Sequence, residues 1–305
     1  MTNLSISAVI CTYNREEYLR GALDSLLHQD LANYEIIVVD NASTDGTADI
    51  VKSYSDNPKV KYVYEPKLGL SVARNTGVIN ATGEIVAYLD DDAIAPSHWL
   101  PTLLEVFEND SDVVIAGGKV KLILPEPYTE LPAWISEQMA GALGLYDLGD
   151  EMIAIHDASF TPRGLNYGFR RSFWQEVGGF DVKFDRVGNN LLSNGDLVFT
   201  ELALKMERKV MYIPTAEVGH NVQPERLTKE WFKSRSWWQG ISEYYRQQGK
   251  NVTKNKQFLG SLERIIRGSY KSIKYINNPS TRFENILYVY GQFGYLSKLL
   301  KIGKR

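Results

Sequence analysis

Three consecutive carboxylates, Asp90, Asp91 and Asp92, close a short apolar stretch, Ile85–Leu89, whose length and β-branching read as a strand. Adjacent carboxylates repel one another, so the pattern asks for a cation. A divalent ion holding a phosphate-bearing substrate is the most economical answer. The bland alternative is a solvated acidic turn. Asp40 ends a second apolar run and leads into Asn41-Ala42-Ser43-Thr44-Asp45-Gly46. An acid there suits hydrogen bonds from a base or a ribose. The same cluster is rich in helix caps, so Asp45 is expected to cap while Asp40 faces a ligand. Arg74 stands among small residues in Leu70-Ser71-Val72-Ala73-Arg74-Asn75-Thr76-Gly77. Small neighbours permit close packing, and a guanidinium fork fits a phosphate or a base edge; a surface ion pair is the competing use.

These groups need elements to hold them. Apolar runs at Ile6–Cys11, Glu35–Val39, Val60–Tyr64, Ile85–Leu89 and Val113–Ala116 read as strands. Between them, helical spacing marks Arg15–His28, Thr44–Tyr54, Ser71–Asn80 and Ser97–Asn109. Such alternation predicts an α/β fold: a Rossmann-like, mostly parallel central sheet with helices on both faces. Ligands of such sheets bind beyond the carboxyl ends of the strands. The clusters Thr12-Tyr13-Asn14-Arg15, Asp40 to Asp45 and Asp90-Asp91-Asp92 all fall at those ends, which predicts one shared cleft.

Residues 125–165 lack periodicity and hold Pro125, Pro127, Pro132 and Pro162. They read as a long mobile excursion over the site, with a short helix near Ala133–Ala142. Regularity returns at Leu165–Phe169 and Arg171–Val177. The Gly178-Gly179-Phe180-Asp181 turn follows, then a helix from Gly195 to Met206 and a strand at Val210–Ile213. Helices are expected over 228–248, 257–276 and 282–300, broken at Gly249-Lys250-Asn251 and Asn277-Asn278-Pro279. The organisation expected is a domain over 1–225 and a helical extension over 226–305.

The 305 residues have an ordinary soluble composition, 44% hydrophobic and 23% charged. Cys11 is the sole cysteine, which rules out a disulfide framework within the chain and suits a reducing cytoplasm. It reads as a small core residue and not as a nucleophile. The polar start is unlike a signal peptide, and no apolar run is long enough to span a membrane. The net charge of −3 hides an asymmetry: Gly240–Arg305 carries 13 Lys/Arg against 3 Asp/Glu, and residues 1–239 carry 21 against 34. The two parts should do different work.

Taken together, Val9 to Arg15, Ile37 to Thr47, Ala73 to Gly77 and Tyr88 to Asp92 resemble the family-two glycosyltransferases of the GT-A fold. The resemblance spans about residues 5–220. It implies a nucleotide-sugar donor, a Mg or Mn ion and inversion at the anomeric carbon. It also implies roles: Thr12, Tyr13 and Asn14 at the nucleotide pocket, Asp40 at the base, and Arg74 near base and diphosphate. Asp90 and Asp91 would approach the ribose, and Asp92 would bind the metal. His220 is expected after the last strand, a region where some GT-A enzymes use a histidine as a further ligand; a packing or loop histidine is the alternative. Inverting transfer needs a base for the acceptor hydroxyl. Family members place a Glu-Asp pair at the helix start beyond the Gly-Gly-Phe-Asp turn. Here the Glu position is Gly195, leaving Asp196 as the candidate, with Asp181, Asp185 and Glu201 behind it.

The implied partners are a nucleotide sugar, a UDP-sugar first, and a glycan or lipid-linked acceptor in polysaccharide biosynthesis. Trp231, Phe232, Trp237, Trp238, Tyr244 and Tyr245, interleaved with basic residues, suggest either peripheral contact with the inner face of a membrane or simple packing on the core. Lys271, Lys274, Lys298, Lys301, Lys304 and Arg305 add to the basic tail. Nucleic acid is not an expected partner. Two other functions compete: a nucleotidyltransferase making sugar nucleotides, and a non-catalytic nucleotide-binding subunit.

Overall fold

A computed structural model of the chain describes residues 4–187, 190–248 and 253–301. Two compact units emerge. The first comprises Met1–Ile123, Gly144–Asp185 and Gly195–Asn221; the second comprises Leu124–Leu143, Arg186–Asn194 and Val222–Arg305.

The first unit is built on a sheet with nine strands among the described residues. They are β1 (Ile6–Thr12), β2 (Tyr34–Asp40), β3 (Val60–Tyr64), β4 (Ile85–Leu89), β5 (Ala93–Ile94), β6 (Val113–Ile123), β7 (Ile153–Ala154), β8 (Asn166–Arg170) and β9 (Lys209–Asn221). Helices are numbered along the whole chain. This unit holds α1 (Glu16–Leu27), α2 (Thr47–Lys52), α3 (Leu70–Asn80), α4 (Trp99–Asn109), α6 (Arg171–Val177) and α7 (Gly195–Lys205). The strand order is β3-β2-β1-β4-β8-β6-β9-β5, with β7 also on β9. Pairing is parallel from β3 through β4 and again between β6 and β9, while β8 runs antiparallel to both its neighbours.

Strands β1, β2 and β4 are apolar almost throughout and buried on both faces, as parallel strands covered by helices must be. Leu19, Ala22, Leu23 and Leu26 recur at helical spacing and seal α1 against the core. Trp99, Leu100, Leu103 and Phe107 do the same for α4. Each such side chain, fully buried, is worth roughly 1.5–3 kcal/mol. Gly77 lets α3 approach β1, because a Cβ there would lie 2.6 Å from Val9 Cγ1.

Two expected strands prove longer. β6 and β9 pair in parallel to Ile123 and Asn221, with the register shifting between Gly118 and Val120, beyond the expected ends at Ala116 and Ile213. Partner strands hold glycine-containing and polar segments extended, which local propensity does not foretell. The excursion over 125–165 is divided: 124–143 belong to the second unit, whereas Tyr146 returns to the sheet by bridging Val120. Its helix is shorter than expected, α5 (Glu137–Ala140), because Ser136 caps it by accepting from the Met139 N–H at 3.2 Å.

The second unit also contains α8 (Lys229–Arg246), α9 (Lys254–Lys274) and α10 (Pro279–Leu299). Thr228, Thr253 and Asn278 cap their N-termini. Helices α8 and α10 pack backbone to backbone at Gly240 and Gly294, where any side chain would strike the partner helix. Phe232 is buried, and Trp134 meets Phe232 and Phe283 edge-on at 5.5 and 5.4 Å. The break at Asn277-Asn278-Pro279 is present; the one at Gly249-Lys250-Asn251, like Lys304 and Arg305, lies outside the described residues. No described helix is long and apolar enough to cross a membrane.

Candidate active site

The carboxyl ends of β1, β2 and β4 carry the polar clusters. Thr12 and Asp40 are register partners at the ends of β1 and β2, and both are buried. Asp40 Oδ1 accepts the Ser43 N–H at 2.9 Å, and Oδ2 accepts the Tyr62 hydroxyl at 2.7 Å. The neighbouring Asn41 accepts the Gly69 N–H at 2.8 Å and donates to the Lys67 carbonyl at 2.8 Å, fixing the approach to α3. Tyr13 is exposed.

Asn14 laces two loops together. Its N–H donates to Ser43 Oγ at 3.0 Å and its Oδ1 accepts the Thr44 N–H at 2.7 Å. The N-cap of α2 is Gly46, and Asp45 stands one residue before it; against the opposing effect of burial, the Thr47 hydroxyl and the Glu16 and Thr47 N–H groups that Asp45 accepts hold its carboxyl below the usual range.

Asp91 and Asp92 are buried. Burial, with the Asp92 and Asp90 carboxylates beside it, pushes Asp91 up to about 8 against the pull of Arg15 and the Thr12 hydroxyl. The turn after Asp90 closes with the Ala93 N–H on the Asp90 carbonyl at 3.0 Å. The chain then forms β5, in which Ala93 pairs with His220. The Asn221 N–H donates to the Asp92 carbonyl at 2.8 Å. This pairing sets His220 Nε2 3.2 Å from Asp92 Oδ1, and Arg15 reaches Asp92 Oδ2 at 3.8 Å. His220 therefore lies within the last strand, paired, and not after it. Gly144, at φ 107°, passes so close that a Cβ there would sit 2.9 Å from His220 Nδ1.

Arg74 is buried on α3. Its guanidinium carbon sits 5.5 Å from the Tyr88 ring centre and 5.7 Å from that of Phe180. Asn75 holds the Phe180 backbone through both its N–H and its carbonyl, each at 2.9 Å, so the Gly-Gly-Phe-Asp turn positions the ring against Arg74. Burial works against the Arg74 charge, but Asp90 and Asp196 outweigh it and raise its affinity for the proton. Gly164 packs against the guanidinium, where a Cβ would strike Arg74 Nη2. Asp196, at the start of α7, accepts the Gly164 N–H on Oδ2 at 3.0 Å and the Leu197 N–H on Oδ1 at 2.9 Å.

The fallback acids serve otherwise. Asp181 is an exposed turn cap for the Lys183 N–H. Asp185 is buried, which raises its pKa, and it caps α3 through the Ser71 N–H. Glu201 lies within α7, beyond its first turn. Cys11 is a free thiol pushed up by burial and by the nearby acids, so it is no thiolate nucleophile.

Among the described residues, no three His, Cys, Asp or Glu side chains converge on a metal position. The pair Asp92–His220 converges, offering one oxygen and one nitrogen donor. That set fits an ion whose other positions come from substrate phosphate and water. Arg15 belongs to the polar cluster read after β1, with no role assigned to it from sequence. Nothing in the sequence singles out Tyr62 or Gly164.

A large mixed sheet flanked by helices, with acids at its strand ends, defines a GT-A glycosyltransferase fold. The model of the glycosyl transferase family 2 matches residues 7–166, and the chain belongs to that family. It is 28% identical over 245 residues to a glucosyl-dolichyl phosphate glucuronosyltransferase of Haloferax volcanii, spanning 78% of this chain and 76% of that protein. A mannosyltransferase of Pyrobaculum calidifontis, solved with GDP-Man and Mn2+, superposes with a TM-score of 0.58 at 18% identity, over 99% of this chain and 76% of that one. GalNAc-T7, solved with UDP, GalNAc and Mn2+, superposes at 0.59 and 17% identity, over 83% of this chain and 52% of that one. The protein is a glycosyltransferase, which decides against the nucleotidyltransferase and non-catalytic alternatives.

Proposed function

We propose that the protein is an inverting, divalent-metal-dependent glycosyltransferase. It would move a sugar from a nucleotide diphosphate to a hydroxyl of a growing glycan or lipid-linked acceptor. The observation that carries this reading is the Asp92–His220 pair at 3.2 Å. Arg74 is in electrostatic reach of both Asp90 and Asp196.

In this reading, residues 1–225 form the transferase domain and 226–305 the extension. Asp40 accepts hydrogen bonds from the base, and Thr12, Tyr13 and Asn14 border the nucleotide pocket. Asp90 and Asp91 meet the ribose. Asp92 and His220 hold the cation, and the imidazole favours Mn over Mg. When bound, the ion offsets the charge that builds on the departing diphosphate. Arg74 adds fixed positive charge behind the same group. Asp196 takes the proton of the acceptor hydroxyl as its oxygen attacks the anomeric carbon in line. The new glycosidic bond forms while the bond to the diphosphate oxygen breaks, so the configuration inverts. A carboxylate has about four lone-pair sites, so two N–H bonds leave Asp196 room for that proton.

A UDP-sugar is the first donor to test. The glucuronosyltransferase relative, named for a glucosyl-dolichyl phosphate, supports an acceptor carried on a lipid phosphate. The Mn2+-bound neighbours support a divalent ion. A thermal-shift screen of UDP-, GDP- and dTDP-sugars with and without Mn tests the reading. Stabilisation by one nucleotide, dependent on Mn, is expected. No shift for any of them at millimolar concentration would remove both the donor and the metal from the account.

A further inference from the structure

We propose that α9 is a docking helix for an anionic lipid surface. It has three faces. One packs inward: Phe258 and Ile265 join the cluster of Tyr295, Leu296 and Leu299, and Gly268 lets the helix close on α10, where a Cβ would lie 2.7 Å from Val289 Cγ2.

The second face is apolar and open to solvent. Leu259, Leu262, Ile266, Tyr270 and Ile273 follow one another at intervals of three and four, which places them on one stripe. Leu259 is 64% exposed, Ile266 70%, Tyr270 63% and Ile273 70%. Isolated exposed apolar residues need no explanation, but a continuous stripe along about four turns does.

The third face is basic. Lys256, Arg267, Lys271 and Lys274 lie on the far flank of the stripe, and α9 as a whole carries six Lys/Arg and one Glu. Apolar residues beside basic ones suit the boundary between acyl chains and anionic headgroups. There the stripe leaves water while the cations stay with phosphate. Charge selects lipid over a second copy of this chain, since self-pairing would bring two strongly basic helices together. No helix of the described residues spans a membrane, so the contact is peripheral. The surface owes nothing to the donor or acceptor assigned above.

The experiment is co-sedimentation of the full chain with vesicles of phosphatidylcholine alone and of phosphatidylcholine with 30% phosphatidylglycerol, set by design at about physiological ionic strength. Binding to the anionic vesicles is expected, falling at high salt. The double variant Ile266→Ser/Ile273→Ser should lose at least about tenfold in partitioning, as two apolar side chains are withdrawn from the bilayer. Lys271→Glu/Lys274→Glu should lose binding to the anionic vesicles specifically. The substituted side chains are exposed, so thermal unfolding of both variants should match the parent. Absence of binding by the parent, or binding unchanged in both variants, overturns the proposal. So does sedimentation velocity showing a dimer that Ile266→Ser/Ile273→Ser dissolves.

Discussion

Asp92 Oδ1 and His220 Nε2 stand 3.2 Å apart, although 128 positions separate them in the chain. The two-residue strand β5 brings them together by pairing Ala93 with His220. A buried carboxylate beside a buried imidazole, with Arg15 at 3.8 Å, is a weak source of stability, and it is the contact on which the proposed metal site rests.

Removing either partner should damage transfer unequally. Asp92→Ala should lower kcat by about 10³-fold, the scale for losing electrostatic stabilisation of the leaving group. His220→Ala should instead raise the Mn concentration needed for half-maximal activity by roughly 10–100-fold. Mn titrations of both variants, with circular dichroism to confirm folding, check this. Equal activity of Asp92→Ala and parent would sink the metal assignment.

Asp196→Asn should lower kcat by about 10²–10⁴-fold while leaving nucleotide affinity near that of the parent. The amide keeps the size and gives up the proton-accepting charge, and its NH2 can accept neither of the two N–H groups that the carboxylate accepts. Steady-state kinetics beside calorimetric nucleotide binding separates the two effects. A loss confined to KM would reassign Asp196 to substrate binding.

Gly164→Ala tests the contact that joins Arg74 to Asp196. The new methyl would collide with the guanidinium and displace the N–H that Asp196 accepts at 3.0 Å. The expected outcome is a melting temperature lowered by the equivalent of about 1–3 kcal/mol, the usual cost of overpacking, with kcat falling in parallel. Unchanged kinetics would mean that Arg74 has no part in the reaction.

Acid should weaken the fold through Glu35. Burial alone would raise its pKa. The hydroxyls of Ser7 and Thr82 and the Thr82 N–H, each meeting it at 2.6 Å, outweigh burial and lower it. A carboxyl depressed in the folded state contributes stability above its unfolded value, and that contribution is lost as pH falls through the folded value. Denaturant unfolding should therefore show the Glu35→Gln variant less stable at pH 7, by well under about 1 kcal/mol because solvent screens a half-exposed carboxyl. The gap should narrow toward pH 3, and a constant gap across that range would contradict the linkage.

Much of the first unit was legible because its signals are local. The strands β1 to β4 and the helices between them fell within a few residues of their expected ends, and the acid run after β4 marked the site. The partly buried aromatics of α8 were ambiguous for the opposite reason. Spacing says that a face is apolar but not what covers it, so the crowding there read as membrane contact or packing, and Phe232 proved to be core. The open apolar face lies instead on α9, where Leu259 to Ile273 carried a regular spacing in plain view.

By itself the sequence determined the order of strands and helices, the phase that puts polar clusters at the strand ends, and the run of acids. Each of these follows from short-range sterics, hydrophobic period and charge. Only the tertiary structure decided that His220 lies beside Asp92, that Gly164 joins Arg74 to Asp196, and that Asp185 caps α3. Those juxtapositions depend on which distant segments pair in the sheet. Strand pairing is chosen by the packing of the whole unit, and no window of neighbouring residues records it.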